Sequence, residues 1–379
     1  MGHSAIELDL HPGVSLGILT LGESLWSTLE ALRHLRTQFP QVSVSYDPAA
    51  PSTSPVLVHL RPYIDLLFSP TQQRLHTISL RRLRSDPPLV LRYKSVILSS
   101  EDQVLRRSGV SRNFGPTYPG ELMQYPGVWF GFEEDGQTGV VVKSPTDDRM
   151  QEVKRAVVCQ KVEDGERSKD RLDDIQYCEV MNGQISRVVA RLHEGVSIYF
   201  YGSPSSTPPL KILLGKTTAQ DLTLDLGPPL RTHYKEDDRM NIHSGRVEED
   251  EHDDGYFFNY FQHGMDFLIS GSTHIVQKII LHTNIPGSPL FQRYNRCPWE
   301  IQAVPEDEDD VSPPSITFQS KIDAIETFLS PSSSIPSMLL DRGDDDNLAL
   351  PSSTSRLMGF DGLVLEVLEV GQVVCVMLF

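Results

Sequence analysis

The hydrophobic and polar positions of this chain form short apolar runs separated by turn residues. Met265 to Ile269 and Val276 to Leu281 flank Ser270-Gly271-Ser272, a pattern typical of an antiparallel hairpin. Both runs are nearly continuous in apolar residues, so we expect both faces of the hairpin to be covered. Further strand pairs are predicted at Ile64 to Phe68 with Leu75 to Leu80, and at Leu363 to Leu368 with Val373 to Leu378.

Segments with helical spacing lie between these strand pairs. Ser24 is the predicted N-cap of the first helix, and Thr217 is the predicted start of a later helix that Gly227 ends. The order strand, short helix, proline stop and two-stranded hairpin occurs four times. We therefore predict an α+β fold of four strand-helix-hairpin repeats, with antiparallel sheets arranged in two lobes.

Polar segments suggest where the lobes divide. The predicted N-terminal lobe comprises residues 1–160 with repeats 1 and 2, and a polar linker spans 161–176. The predicted C-terminal lobe comprises residues 177–379 with repeats 3 and 4. Stretches near 303–315 and 330–356 are rich in Ser, Pro and acidic residues, and we expect them to be disordered.

Charge and cysteine usage narrow the class of protein. The chain has 51 acidic and 34 basic residues, a formal net charge of -17. A nucleic-acid-binding protein needs a basic face for phosphates, so we expect no nucleic-acid partner. The four cysteines form no C-x-x-C motif and fit a reducing compartment. With no secretory signal and no apolar run of transmembrane length, we expect a cytoplasmic protein.

Searches for catalytic and ligand motifs give no match. LLGKTT, from Leu213 to Thr218, ends like a phosphate-binding loop, but Leu210 stands where the first glycine is required. The acidic runs lack the ligand spacing of a calcium loop, and the histidines between His233 and His282 lack the spacing of a zinc site. No nucleophile motif is present. We expect no catalytic, cofactor-binding or metal site, and no enzyme.

One hairpin carries more aromatic, His and Asn residues than a packed core requires. Asp266 lies within its first apolar strand and must be paired or face solvent. Asp65 occupies the matching place in an earlier hairpin, and this recurrence favours a structural role for both. The ends of the hairpin are the predicted docking surface for a partner: Tyr256, Phe257, Tyr260, His282, Asn284 and Pro286.

A basic stretch follows the strand that ends at Leu80. It contains Arg81, Arg82, Arg84 and Arg92. Such a stretch suits an acidic lipid headgroup or an acidic partner protein. A solvated strand end explains the same residues equally well, and all these interpretations stay open.

Several blocks together resemble one family. They are YKEDDRMNIHS (Tyr234 to Ser244), the block from Asp254 to Gly287, RYNRCPWEI (Arg293 to Ile301) and the N-terminal LGESLWSTLEALR. Their order and spacing are similar to those of the phagosome assembly factor 1 family, from about Ser15 to the C-terminus. The Ser/Pro/Asp stretch before the last hairpin departs from the family pattern.

The resemblance implies a non-enzymatic scaffold or adaptor of autophagy. It implies a β-propeller partner similar to breast carcinoma amplified sequence 3, recruitment of the pair to the phagophore assembly site, and phosphoinositide contact mainly through the partner. The expected location is cytoplasmic and peripheral, with Golgi association as a further expectation. The alternatives are a lipid-binding or Golgi/endosomal vesicle-trafficking module with an apolar interior, and a hydrolase without a recognisable motif.

Overall fold

The computed structural model describes most of the chain, and it divides into two compact units. The units are Met1–Met181 (unit 1) and Asn182–Phe379 (unit 2), and each is described by itself. The structure describes residues 6–83, 89–117, 122–132, 149–161, 175–234, 255–303, 314–329, 335–341 and 354–379.

Unit 1 contains two helices and twelve strands within its described residues. The helices are α1 (Leu25–His34) and α2 (Arg107–Phe114). The strands are β1 (Ile6–His11), β2 (Ser15–Leu16), β3 (Leu19–Thr20), β4 (Gln41–Ser45), β5 (Val56–Arg61), β6 (Ile64–Phe68), β7 (Leu75–Leu80), β8 (Leu89–Tyr93), β9 (Val96–Ser99), β10 (Leu122–Tyr125), β11 (Val128–Gly131) and β12 (Arg155–Cys159).

These strands form two sheets. The five-stranded sheet has the order β3-β2-β1-β8-β9 and contains one parallel pair, β1 with β8, in which Ile6 lies opposite Leu89. The seven-stranded sheet has the order β10-β11-β12-β7-β6-β5-β4, and its neighbouring strands are antiparallel. The pairing of β6 with β7 confirms the hairpin predicted there.

Unit 2 contains two further helices, α3 (Ala219–Leu226) and α4 (Ile322–Leu329), within its described residues. Its strands are β13 (Ile185–Arg191), β14 (Gly195–Phe200), β15 (Leu210–Leu213), β16 (Arg231–Tyr234), β17 (Tyr256–Tyr260), β18 (Met265–Ile269), β19 (Val276–His282), β20 (Trp299–Gln302), β21 (Ser315–Thr317), β22 (Ser337–Asp341), β23 (Thr354–Phe360), β24 (Leu363–Val367) and β25 (Val373–Leu378).

The sheets of unit 2 have the same kind of order. The five-stranded sheet runs β15-β14-β13-β20-β21, and its one parallel pair joins β13 to β20, with Val188 opposite Trp299. The eight-stranded sheet runs β16-β17-β18-β19-β25-β24-β23-β22. Read from β16, it matches the seven-stranded sheet of unit 1 read from β4, with β22 added at the far edge. The predicted pairs β18–β19 and β24–β25 are confirmed.

Each described helix starts where the chain bridges to a neighbouring strand region. The residue before the helix forms an isolated β-bridge in every case: Ser24 with Arg74, Arg106 with Glu152, Thr218 with Ile275, and Lys321 with Gln372. Such a bridge fixes the direction in which the helix leaves the sheet and gives backbone groups near the helix start a partner.

The N-cap residues of α1 and α3 are determined by hydrogen bonds between neighbouring residues of the sequence. The Ser24 hydroxyl accepts a hydrogen bond from the backbone N–H of Ser27, so Ser24 is the N-cap as predicted. The second predicted start was wrong by one residue. Thr218, not Thr217, is the N-cap of α3, because Asp221 completes a reciprocal capping box with it.

A large apolar core packs the two sheets and the helices of unit 2 together. It joins Val188 and Ile198 of the five-stranded sheet, Phe267 of the eight-stranded sheet and one residue each from α3 and α4, Leu222 and Ile325. The core side chains that come from the eight-stranded sheet lie on one of its faces. Because side chains alternate along a strand, the residues between them lie on the opposite face, which carries polar residues.

The structure confirms an α+β chain of mainly antiparallel sheets with few helices. The four strand-helix-hairpin repeats in two lobes, and the predicted lobe boundaries, stay predictions. The predicted linker lies mostly outside the described residues, as does 304–313. Within 330–356, predicted to be disordered, the structure places β22 and the start of β23. The apolar run Met338 to Leu340 pairs as a strand despite its polar surroundings.

Candidate functional site

A row of polar side chains crosses the eight-stranded sheet on the face opposite its apolar core. In strand order it consists of Asn259, Asp266, His282, Cys375, Glu366 and Ser355. Asn259 lies directly opposite Asp266, His282 opposite Cys375, and Cys375 opposite Glu366. All six residues are buried. Because buried polar groups are costly unless they are hydrogen-bonded, each side chain in this row needs a partner.

Asp266 is the centre of this row. Its Oδ1 accepts a hydrogen bond from Asn259 Nδ2 at 2.7 Å. Its Oδ2 lies 2.8 Å from His282 Nε2 and accepts a hydrogen bond from the Tyr294 hydroxyl at 2.7 Å. Asp266 was expected to be paired or to face solvent, and it is buried with three polar neighbours at hydrogen-bonding distance.

The connection between β19 and β20, residues 283–298, covers this end of the row; we call it the covering segment. The Tyr294 ring stacks on the His282 ring, with centroids 3.7 Å apart and planes at 15°. Burial, and then the charge of Asp266, raise the pKa of the Tyr294 hydroxyl. Tyr294 is therefore a protonated donor to Asp266, and it separates the carboxylate from solvent.

Backbone contacts hold the covering segment against the turn that precedes β18. The N–H of Asn295 donates to the Phe261 carbonyl at 2.8 Å, and that of Cys297 donates to the His282 carbonyl at 2.9 Å. Gly264 has a φ of +69°, and a Cβ built there would lie 2.3 Å from the Asn295 carbonyl oxygen. Only glycine combines this φ with so close an approach.

Arg296 anchors the covering segment from inside. Its Nε donates to the Thr283 carbonyl at 2.9 Å, and Trp299 Nε1 donates to the Thr283 hydroxyl at 3.0 Å. Burial lowers the pKa of the Arg296 guanidinium to about 9, so it is still charged at neutral pH. Arg296 is a buried cation that donates hydrogen bonds to backbone carbonyls of the segment. A conformation that broke these bonds and kept the charge buried would leave the guanidinium without partners, so the bonds favour the observed conformation.

The other end of the row is equally enclosed. The Cys375 thiol donates to Glu366 Oε2 at 3.4 Å, and the Ser355 hydroxyl donates to Glu366 Oε1 at 2.8 Å. Among the residues that the structure describes, His282 Nδ1 is buried and has no hydrogen-bond partner. A His beside a carboxylate and a thiol can serve in proton transfer where a substrate reaches it. Here the three side chains are enclosed, and their contacts are those of a structural network.

The corresponding row in unit 1 has different chemistry. His59 lies opposite Asp65 and its Nδ1 is 2.6 Å from Asp65 Oδ1. The guanidinium of Arg81 forms an ion pair with the same carboxylate. The antiparallel register sets Ala156 opposite Leu80, which places Arg155 opposite Arg81. This row is half open, since the Arg81 side chain is 42% exposed.

The structure separates the six residues of the predicted docking surface. Tyr260, His282, Asn284 and Pro286 are buried, and docking at these four residues stays a prediction. The hydroxyl of Tyr260 donates to the Gly227 carbonyl at 2.9 Å, and burial raises its pKa to about 12. Asn284 Oδ1 accepts a hydrogen bond from the Gln292 N–H.

Tyr256 and Phe257 are partly exposed at β17, next to the edge strand β16. They point to opposite faces of the sheet because they are neighbours along a strand. Tyr256 contacts Tyr234, with centroids 5.7 Å apart, and its hydroxyl lies 3.0 Å from His274 Nδ1. Docking at these two residues stays a prediction.

The predicted basic patch is divided between two sheets. Arg81 follows β7 in the seven-stranded sheet, whereas Arg92 lies in β8 of the five-stranded sheet and pairs with Glu7 at 3.0 Å. Arg82 is exposed, and Arg84 lies outside the described residues. Binding of acidic lipid or partner at these positions stays a prediction.

Sequence reasoning missed Asn259, Tyr294 and Arg296. The signal for Asn259 was its position in the strand that pairs with the Asp266 strand. Tyr294 and Arg296 lie in a segment without strand or helix periodicity, so only their contacts identify them. In the part of the chain that the structure describes, no three His, Cys, Asp or Glu side chains are grouped to hold a metal ion.

No described helix is long and apolar enough to span a membrane. Comparison with known proteins adds family evidence. The family model described as phagosome assembly factor 1 matches residues 15–379. The chain is similar to a PHAF1 protein of Arabidopsis thaliana, with 25% identity over 403 aligned positions that cover 99% of this chain and 93% of the relative.

Two animal relatives are also similar to this chain, one over nearly its whole length and one over a quarter of it. A PHAF1 protein of Drosophila melanogaster is 24% identical over 417 aligned positions, which cover 99% of this chain and 94% of the relative. A PHAF1 protein of Caenorhabditis elegans is 39% identical over 97 positions, or 25% of this chain and 23% of the relative. No solved structure matches the chain significantly.

Proposed function

Because this chain belongs to the phagosome assembly factor 1 family, we propose that it is a non-enzymatic adaptor in the assembly of autophagic membranes. The observation that carries the proposal is the family match over residues 15–379. The enclosed polar row supports it, because His282, Cys375 and Glu366 are engaged in holding unit 2 together. In this proposal the protein works by binding partners.

The proposed partner is a β-propeller protein similar to breast carcinoma amplified sequence 3. The pair is recruited to the phagophore assembly site from the cytoplasm, and phosphoinositide contact is made mainly through the propeller. Tyr256 and Phe257 are the two predicted docking residues with exposed surface. Aromatic side chains on a sheet surface provide large contact area at low entropic cost.

Affinity purification of the tagged full-length protein from cells tests the proposal. A β-propeller protein should co-purify, and Phe257→Ala should reduce its recovery about 30-fold, which corresponds to about 2 kcal/mol for an aromatic hot spot. Tyr199→Ala is the matched control, since Tyr199 is an exposed aromatic of the other sheet of unit 2.

Three outcomes contradict parts of this proposal. If no propeller protein co-purifies with the unmodified chain, the adaptor function loses its main support. If the purified chain alone floats with phosphoinositide-containing vesicles, the lipid-binding trafficking module becomes the better interpretation. Equal losses for Phe257→Ala and Tyr199→Ala would reject the docking surface while leaving the partner in place.

A further inference from the structure

The outer face of the seven-stranded sheet in unit 1 is basic. Strand alternation places Arg61 and His59 of β5 on this face, together with Asp65, Arg81 and Arg155. The described residues of this face therefore include three arginines and one carboxylate, a formal charge of +2 when histidine is not counted. The chain as a whole carries -17, so this face opposes the average charge of the protein.

The three arginines are accessible, and two of their guanidinium groups are held in place, that of Arg81 by Asp65 and that of Arg155 by Ser79 and Trp129. Arg61 and Arg81 are exposed, and Arg155 is half-buried. Arg155 Nε donates to the Ser79 hydroxyl at 2.9 Å, and its guanidinium lies 5.4 Å from the centre of the Trp129 ring. A side chain fixed in this way loses little conformational entropy when it binds a ligand.

Apolar surface continues the face beside the arginines. Trp129 is half-buried and Leu122, at the edge strand β10, is 40% exposed. Alternation along β10 and β11 places both side chains on the same face as Arg155. Charged groups next to an aromatic and an aliphatic contact are typical of protein-binding surfaces.

Unit 2 shows what occupies the equivalent face there. Its covering segment is a stretch of polypeptide that places the Tyr294 hydroxyl on Asp266. In unit 1 the corresponding connection, between β7 and β8, spans only residues 81–88, compared with 283–298 in unit 2. The eight-stranded sheet of unit 2 is covered by its own chain. The equivalent sheet of unit 1 has a shorter connection and carries exposed arginines.

We propose that an acidic polypeptide segment of a partner protein docks on this face of unit 1. Its carboxylates bind Arg61, Arg81 and Arg155, since the planar guanidinium matches a carboxylate in two-point geometry. Its apolar side chains pack on Trp129 and Leu122. This inference goes beyond the proposed function, because it names a surface and a ligand chemistry that hold for any acidic partner.

Fluorescence polarisation with the full-length protein tests the inference. The probe is a fluorescein-labelled peptide of alternating glutamate and leucine, and a peptide of alternating glutamine and leucine is the uncharged reference. We expect saturable binding of the acidic probe that weakens with added salt. The double variant Arg61→Glu, Arg155→Glu should bind the probe at least about tenfold more weakly, a change of about 1.4 kcal/mol or more.

Controls separate docking from general charge and from misfolding. Arg231→Glu reverses an exposed charge at the edge of unit 2 and should change the affinity less than about twofold. The milder variant Arg61→Gln, Arg155→Gln should also weaken binding, and an unchanged thermal unfolding curve shows that the fold is kept.

Three results would overturn the inference. The first is no saturable binding of the acidic probe by the unmodified protein. The second is an equal loss of binding in Arg231→Glu. The third is binding to phosphatidylserine vesicles that depends on Arg61 and Arg155 while the acidic peptide does not bind, which would assign the face to a membrane. None of these results depends on the propeller partner, so the proposed function is tested separately.

Discussion

The two large sheets use the same strand positions for opposite purposes. In unit 2 the row through Asn259, Asp266 and His282 is covered and hydrogen-bonded. In unit 1 the row through His59, Asp65 and Arg81 ends in an exposed guanidinium. In unit 2 the connection to the next strand returns over the sheet and supplies a donor, Tyr294, for the carboxylate. In unit 1 the equivalent carboxylate is paired with the exposed Arg81. The same strand position can thus hold a covered polar row or one that reaches solvent.

The largest expected difference concerns the two aspartates. Asp266→Ala leaves three buried donors without an acceptor, so it should lower the free energy of unfolding of unit 2 by about 3–5 kcal/mol. Asp65→Ala should cost unit 1 about 1–2 kcal/mol, because solvent reaches Arg81. Urea unfolding monitored by amide hydrogen exchange reports β18 and β6 separately. Equal costs would show that the covering segment does not isolate Asp266.

A smaller effect is expected from removing the hydroxyl that the covering segment supplies. Tyr294→Phe keeps the ring stacked on His282 but loses the hydrogen bond to Asp266, which should cost about 1.5–3 kcal/mol. Tyr125→Phe is the matched change in unit 1, where the hydroxyl donates to the Gly115 carbonyl at 2.8 Å. It should cost about 1 kcal/mol, since the acceptor is uncharged. If Tyr294→Phe lowers the free energy of unfolding less than Tyr125→Phe does, another donor replaces the Tyr294 hydroxyl at Asp266.

The smallest expected effect is a dependence on pH in unit 2. Burial lowers the pKa of His263 from 6.5, more than its hydrogen bond with the Leu226 backbone raises it. The unfolded chain therefore binds more protons than the folded chain just below pH 6.5. The stability that unit 2 gains from a neutral buried His263 is fully present above that pH. It is lost as the pH falls through the pKa of His263 in the folded chain. His263→Gln should flatten the decline in unfolding free energy of unit 2 between pH 7 and 5.5, and an unchanged slope would contradict this.

Local patterns in the sequence were sufficient for the hairpins, the helix at Ser24 and the α+β class. Period-two alternation and turn residues are short-range signals, and the pairings β6–β7, β18–β19 and β24–β25 follow from them. The recurrence of Asp65 and Asp266 in matching strands also indicated a structural role, and both carboxylates are hydrogen-bonded. Tyr294 was missed because its position depends on a loop that has no periodicity.

The predicted surfaces illustrate a second limit. Grouping Arg81, Arg82, Arg84 and Arg92 by proximity in sequence ignored strand alternation and the change of sheet at β8. The structure instead brings Arg81 near Arg155, which is distant along the chain but opposite in register. Likewise, the hairpin pattern gave no sign that His282 and Asn284 are buried in the folded chain. Long-range pairing decided both cases.

The parallel pairs have a consequence for the order in which the protein forms during synthesis. Ile6 lies opposite Leu89 and Val188 opposite Trp299, so neither five-stranded sheet can close until a late strand has left the ribosome. The paired strands lie further apart along the chain in unit 2, where Val188 pairs with Trp299, than in unit 1, where Ile6 pairs with Leu89. Because such distant pairing is slow and leaves apolar strands exposed, nascent unit 2 is the part of the chain with the greater need for chaperones.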